Sequence, residues 1–497
     1  MRKWLMSLIV AVMTAGMVPA ATAYAAENGT AQKNVYTAEL RIDPESKQIA
    51  GSVEIAFWPK QEGRTYLHLY PSAFSSIQPG EKWEELLGAE PAVGTYAITG
   101  LAVEGKPAAI EQEGTLLAID LEKQGSTGPV TVELDFELTL PRNEGRMSFD
   151  DHALWLGNWL PVLAVYDSEG WHLDPYDPVG DPFYSETSDY HLQVTIPDTY
   201  QLASTAADST ADATRSGNGE RTYDLHIENV RDFALVVMDD TYQKWETKAG
   251  DTLVRTWWRN GDDEQQAKLQ HEAAWQSLAY FGEEFGAYPY EEYDVVRTGG
   301  SINGMEYPAL VFVDGRHFLP VGISTLSAVV HETAHQWFYG IVGNNQWEDA
   351  WLDEGLAEYA TVAFLYQKDR KFAAFLARNR LVRGISATAY ADKQLSVWQR
   401  LDAFPDNQSY GDLVYSRSFS MLWLLRGAWG EERLHSFIRE YAADHWHGIA
   451  SGADFVEKLS EEAGEDASAF IHYWLYLDTS KRAEAEAWLE RQRKSGS

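Results

Sequence analysis

His331-Glu332-Thr333-Ala334-His335 is followed, eighteen residues on, by Glu354 within Trp351-Leu352-Asp353-Glu354-Gly355. On a helix, positions i and i+4 share one face a turn apart, so both imidazoles reach a single metal ion. Glu332, beside the first histidine, flanks that ion without ligating it. Two histidines and a carboxylate, with a fourth position left to water, make a catalytic zinc site and not a closed structural one. A bare His-Glu-x-x-His is only moderately specific. The downstream glutamate, heading its own helical pattern, turns it into the signature of a zinc hydrolase. The alternative for Glu332 is an ordinary carboxylate on a helix surface.

Upstream of this stretch the period of the chain is two. Tyr36, Ala38, Leu40 and Ile42 alternate with polar residues, as do Val53, Ile55 and Phe57, Val132 to Leu138, and Tyr190 to Ile196. Short alternating runs with turn residues between them predict an all-β domain over 35–245. A segment crowded with Trp, Tyr, Pro and Asp, from Leu154 to Tyr184, reads as a long loop of the kind that faces a binding site. After Trp245 the character changes. Asp262 to Phe285 is a helix, Tyr293 to Arg297 and Ala309 to Asp314 are strands, and Ser324 or Thr325 caps the helix carrying the histidines. From Trp351 to Leu477 the period is mostly helical, and 481–497 reads as a charged, fraying tail. The fold class is therefore α+β and multidomain: an all-β unit, then a catalytic unit over 246–480 whose C-terminal part is helical.

Residues 1–25 stand apart. Arg2 and Lys3 precede an apolar run to Val18, and Ala23-Tyr24-Ala25 ends it with small residues, the pattern of a cleaved secretory signal peptide. An uncleaved anchor is the alternative, and 26–34 reads as a linker. No other segment has the length of an apolar span. The protein is thus expected to be secreted or extracytoplasmic, with no integral membrane segment after cleavage. There is no cysteine, which excludes disulfides and thiolate metal sites. With 40 basic against 75 acidic residues the net charge is −35, so nucleic acid and anionic membrane surfaces are poor partners. The acidity either attracts the cationic amino terminus of a peptide or serves only as a soluble coat. Nineteen Trp, 26 Tyr and 19 Phe read as core and loop anchors.

Over about 36–477 the chain resembles the M1 family of zinc metallopeptidases, the gluzincins typified by aminopeptidase N and leukotriene A4 hydrolase. The resemblance rests on His331-Glu-x-x-His335 with Glu354, on Gly304-Met305-Glu306-Tyr307-Pro308, and on Val414-Tyr415-Ser416-Arg417. Val230-Arg231-Asp232-Phe233-Ala234 is a weaker mark. It implies a thermolysin-like catalytic domain with one Zn2+ per chain on His331, His335 and Glu354, and Glu332 as general base. It makes Tyr415, 61 residues after Glu354, the hydroxyl that steadies the oxyanion, with Tyr410 as the competing candidate. It also makes Gly304, Met305 and Glu306 a substrate-binding loop, in which Glu306 meets the free ammonium of a peptide. For Glu306 the alternative is a carboxylate capping a turn.

The sequence departs from the family around these residues. Asn303 replaces the leading glycine of the loop, Tyr307 the usual asparagine, and Ser418-Phe419 the usual Gly-Ala after Tyr415. Glu358, one turn after Glu354, is either the acceptor for a ligand histidine's second N–H or a solvated glutamate. Asp353 reads as helix N-terminal charge and His317 as structural. Relatives with further domains after the catalytic one bring substrate contacts that 497 residues leave no room for, so looser control of peptide length is expected. Together these features point to a zinc aminopeptidase acting on peptides. An endopeptidase with the same site and a non-catalytic peptide binder are the alternatives.

Overall fold

The computed structural model describes residues 33–495 except 62, 122–127, 210, 323 and 324. The expected signal peptide, nearly all of the linker, and Ser324 lie outside the described residues. In the β-rich unit, strand Asn34–Asp43 pairs antiparallel with Gln48–Phe57 and parallel with Ser188–Pro197. These are central in an eight-stranded sheet, backed by two four-stranded sheets. The alternation expected from the sequence is the burial pattern seen: Tyr36, Ala38, Leu40 and Ile42 are all 3% exposed or less. The 154–184 segment holds short strands, and its far end, Pro178 to Asp181, reaches the main cleft.

A five-stranded mixed sheet opens the second unit. Its order runs Tyr242–Ala249, Thr252–Arg259, Glu292–Thr298, Leu310–Asp314, with Gly304–Met305 at the edge. The change of sheet comes at Tyr242, so the expected boundary at 245 falls inside a strand. Period-two alternation marks a strand without marking the sheet it joins. Helix Glu264–Phe285 starts where the Asp263 carboxylate accepts from Gln266 N at 2.7 Å. The motif helix, Leu326–Ala334, is short, and His335 is its C-cap. Thr325 stands at its N-cap without the expected side-chain cap. The hydroxyl is committed elsewhere, donating to Gly322 O and accepting from Gln266 Nε2. The helix with the third ligand, Ala350–Lys368, is buried on every side from Ala350 to Leu365. Glutamate can sit in such a helix only with partners for its charge.

The C-terminal expectation needs correction. Residues Arg482–Ser495 form a helix, not a frayed tail. Ala485, Trp488, Leu489 and Gln492 recur at helical spacing and are buried. The Trp488 ring stacks on Phe470 at 4.7 Å, and Gln492 Oε1 accepts from Trp429 Nε1 at 2.8 Å. A high density of charges on the other faces hid this narrow apolar stripe.

The two units are joined by buried polar contacts. Arg231 is 2% exposed and donates to the carbonyls of Tyr339 (2.6 Å), Ser185 (2.9 Å) and Gly448. Tyr307, which replaces the family's asparagine, donates from its hydroxyl to Asn158 Oδ1 of the β-rich unit at 2.5 Å. Gly157 must be glycine because a Cβ there would strike the Tyr307 ring. The loop that carries Glu306 is thereby pinned across the interface by Tyr307.

Candidate metal centre and cleft

The motif helix and the buried helix after it bring three ligand atoms together. His331 Nε2 lies 3.0 Å from His335 Nε2 and 3.1 Å from Glu354 Oε2, and His335 Nε2 lies 3.4 Å from the same oxygen. Both histidines and Glu354 are buried. His335 Nδ1 donates to the Phe338 carbonyl at 2.8 Å. A carbonyl can only accept, so Nδ1 carries the proton and Nε2 presents its lone pair to the centre. Electrostatics also call for a cation here. Burial opposes charge on His335, yet Glu306 and Glu354 hold its pKa well above the ordinary value. Burial likewise raises Glu354, but His335 and bonds from both histidines outweigh it and hold the carboxylate at about 2. Nitrogen and carboxylate donors at this spacing fit a zinc ion with a further position open to the cleft.

That cleft, of about 480 Å³, is lined by Gly304, Glu306, His331, Glu332, His335, Glu354, Glu358, Tyr410 and Tyr415, with Arg146, Gly180 and Asp181 from the β-rich unit. Glu332 is 3% exposed, and burial, then the charge of Glu306, push its pKa well above the ordinary range. The strand Gly304–Met305 runs so close that a Cβ at Gly304 would overlap the Glu332 carboxylate. Tyr415 donates a short hydrogen bond to Glu354 Oε1, and its ring stacks on His331 at 5.7 Å. Tyr410 lies against Tyr415, ring to ring at 5.8 Å, and also faces the cleft. Of the two tyrosines, Tyr415 is the one bonded to a ligand residue.

Glu306 is 4% exposed and faces the cleft, with burial and then the charge of Asp181 raising its pKa to about 8. Its carboxylate accepts from Gln346 Nε2 at 3.2 Å. Met305 departs from expectation. Along a strand, alternate side chains point to opposite faces, so Gly304 and Glu306 face the cleft while Met305 is turned into the core of the β-rich unit. There its sulfur accepts from Arg146 Nε at 3.0 Å.

Glu358 is 5% exposed, so the solvated alternative does not describe it. Arg380 grips its carboxylate with two bonds, 2.7 and 2.9 Å, and its Oε1 lies 3.7 Å from His331 Nδ1. It faces the ligand histidine without closing the hydrogen bond. Asp353 lies in the first turn of its helix, as expected, but is 2% exposed and accepts from Asn344 and Gln346. His317 is structural, contacting Asn303 Oδ1 at 2.8 Å through Nε2.

Several cleft residues carried no signal in the sequence. Arg146 bonds Asp181, the Gly180 carbonyl at 2.6 Å and Tyr176 at 3.1 Å, but comes from an ordinary turn. Arg380 is likewise unmarked by any local pattern, as is Gln346, which bonds Glu306 without lining the cleft. Another group of acids, Asp208, Glu292 and Asp294, surrounds Arg255 instead of facing the cleft.

Residues 269–474 match the peptidase family M1 domain. Aminopeptidase N of Haemonchus contortus is 25% identical over 254 residues, 47% of this chain and 26% of that protein. Aminopeptidase N of Lactococcus lactis is 29% identical over 152 residues, covering 30% and 18%. The matched region thus spans about a quarter or less of these two relatives. Among solved structures, a variant of an M1 zinc metallopeptidase from Deinococcus radiodurans superimposes with a TM-score of 0.63 at 17% identity, covering 89% of this chain and 94% of that one. A second structure of that variant, described as bound to a Tyr-Ser-Ala substrate, gives 0.61 at 17%, with the same coverage.

Proposed function

We propose that the chain is a member of peptidase family M1, whose domain residues 269–474 match, and that it is a zinc aminopeptidase, removing single residues from the amino terminus of peptides. The observation that carries this is the buried Glu306 carboxylate in the same cleft as His331, Glu332, His335 and Glu354. A carboxylate held there offers the ammonium of a substrate a counter-charge and places the first peptide bond at the ligand cluster. The relatives described as aminopeptidases, and the related structure described with a tripeptide, support the same reading.

His331, His335 and Glu354 would hold one zinc ion per chain. When bound, zinc supplies Lewis-acid chemistry, polarising a carbonyl and lowering the pKa of water. The remaining work falls to the protein. Glu332, beside the ligand His331, would take the proton of the attacking water and return it to the departing amine. Tyr415, whose hydroxyl reaches the ligand Glu354, would donate to the developing oxyanion. The exposed edge of strand Gly304–Met305 pairs with the extended substrate backbone.

The test uses residues 26–497 and one peptide in free and N-acetylated forms, each with and without a zinc chelator. Chelator-sensitive release of the first residue from the free peptide alone is expected. Internal cleavage of both forms would make the protein an endopeptidase and remove the role given to Glu306. The reading extends to export: the mature N-terminus, measured by mass on protein recovered outside the cytoplasm, is expected at Ala26.

A further inference from the structure

Glu306 does not stand alone at the amine end of the cleft. Gln346, in the loop between the two ligand-bearing helices, donates from Nε2 to Glu306 Oε1 at 3.2 Å. The same nitrogen donates to Asp353 Oδ2 at 2.8 Å. Asp353 immediately precedes the ligand Glu354 in the buried helix, and its other oxygen accepts from Asn344 Nδ2 at 2.9 Å. Gln346 is 1% exposed, and its backbone N–H is bonded to the Phe183 carbonyl of the β-rich unit. Its Oε1 is buried without a partner. Two carboxylates on one amide nitrogen fix which way the amide faces, and the orphaned oxygen is the consequence.

We infer that Gln346 is a positioning residue that sets the spacing between the ammonium site and the scissile bond, and so confines cleavage to the first peptide bond. This rests on the aminopeptidase reading of the cleft. The physical argument is one of charge and reach. Glu306, Asp353 and His335 present ligand atoms within 4.8 Å of one another. Two carboxylates at that range repel, and an N–H₂ group between them offsets the repulsion while tying both to one point. One end of that tie is the amine anchor; the other is the helix holding Glu354. Without the tie the anchor is no longer fixed, and the ammonium loses part of its counter-charge. Leucine is apolar and one bond shorter, so it loses the tie to both acids. Asparagine keeps the polarity but is too short to span both acids.

The experiment compares Q346L and Q346N with the wild-type protein, all zinc-loaded. One readout is kcat and KM on a tripeptide with a free amino terminus. The other is calorimetric affinity for leucinamide against N-acetyl-leucinamide. Metal content is measured alongside and is expected to be unchanged, since no ligand is touched. For both variants KM is expected to rise about tenfold with a smaller change in kcat. The preference for leucinamide over its acetylated form is expected to shrink by a similar factor. Retention of that preference, or an equal loss of kcat with the preference intact, would overturn the inference and leave the aminopeptidase reading standing. A wild-type protein that prefers leucinamide yet cleaves nothing would end the reading, and the calorimetry would still decide on Gln346. If Q346L does not fold, Q346N supplies the answer. A wild-type protein blind to the amine overturns both.

Discussion

On the proposed reading Glu332 and Tyr415 act on the same bond from different places, and their removal separates cleanly. Glu332 ligates nothing and touches the ligand cluster only through its field, so E332Q preserves shape and metal while deleting the base. Turnover is expected to fall about 10²- to 10⁴-fold, with zinc content by atomic absorption equal to wild type. Tyr415 supplies one donor to the oxyanion, so Y415F is expected to lose about 10²- to 10³-fold in kcat with little change in KM. Loss of zinc in E332Q would show instead that this carboxylate belongs to the ligand set. The residues of this chemistry were legible because metal chemistry dictates both residue type and spacing. Gln346, Arg146 and Arg380 were not, because a residue that orients another is constrained only by three-dimensional neighbours. Met305 was misplaced for a related reason: the loop motif names the residue, but only strand alternation tells which face it takes.

Elements were legible where a period ran long enough against a clear background. Strands Asn34–Asp43, Gln48–Phe57 and Ser188–Pro197 alternate over ten residues each, and the helix ending at Phe285 has its Asp263 cap in the sequence. The helix Arg482–Ser495 fails that criterion, having only the stripe Ala485, Trp488, Leu489 and Gln492 among charged neighbours. Its packing nevertheless makes it part of the catalytic unit. Trp488 is 1% exposed and fills space against Phe470. Replacing a buried tryptophan by alanine leaves a cavity, and W488A is expected to lose about 3 to 5 kcal/mol of stability. Urea denaturation followed by fluorescence reads this. A midpoint unmoved from wild type would return the segment to the status of a detachable tail.

At the scale of the whole molecule the two units meet through groups whose protonation depends on the interface. Asp208 comes from the β-rich unit, while Arg255, Glu292 and Asp294 come from the five-stranded sheet. Arg255 contacts Asp208 at 2.8 Å, Glu292 at 2.7 Å and Asp294 at 2.5 Å, and Ser209 donates its hydroxyl to Glu292 at 2.8 Å. One guanidinium cannot neutralise three carboxylates. Burial, then the charge of Asp294, raises Glu292 to about 8, and burial raises Asp208 to about 6 despite Arg255. Unfolded, both carboxyls return to about 4. Between those values the native state holds protons that the unfolded chain has released, so stability is greatest at the acidic end of the window and falls as pH rises toward 8. In E292Q the amide stays neutral at every pH, removing the largest of these shifts. The thermal midpoint of the wild-type protein is therefore expected to fall between pH 5 and pH 8.5 more steeply than that of E292Q. Superimposable slopes would mean that the interface does not titrate in this range. Taking the difference between the two proteins also cancels the general repulsion of a chain with 75 acidic residues, which rises with pH in both.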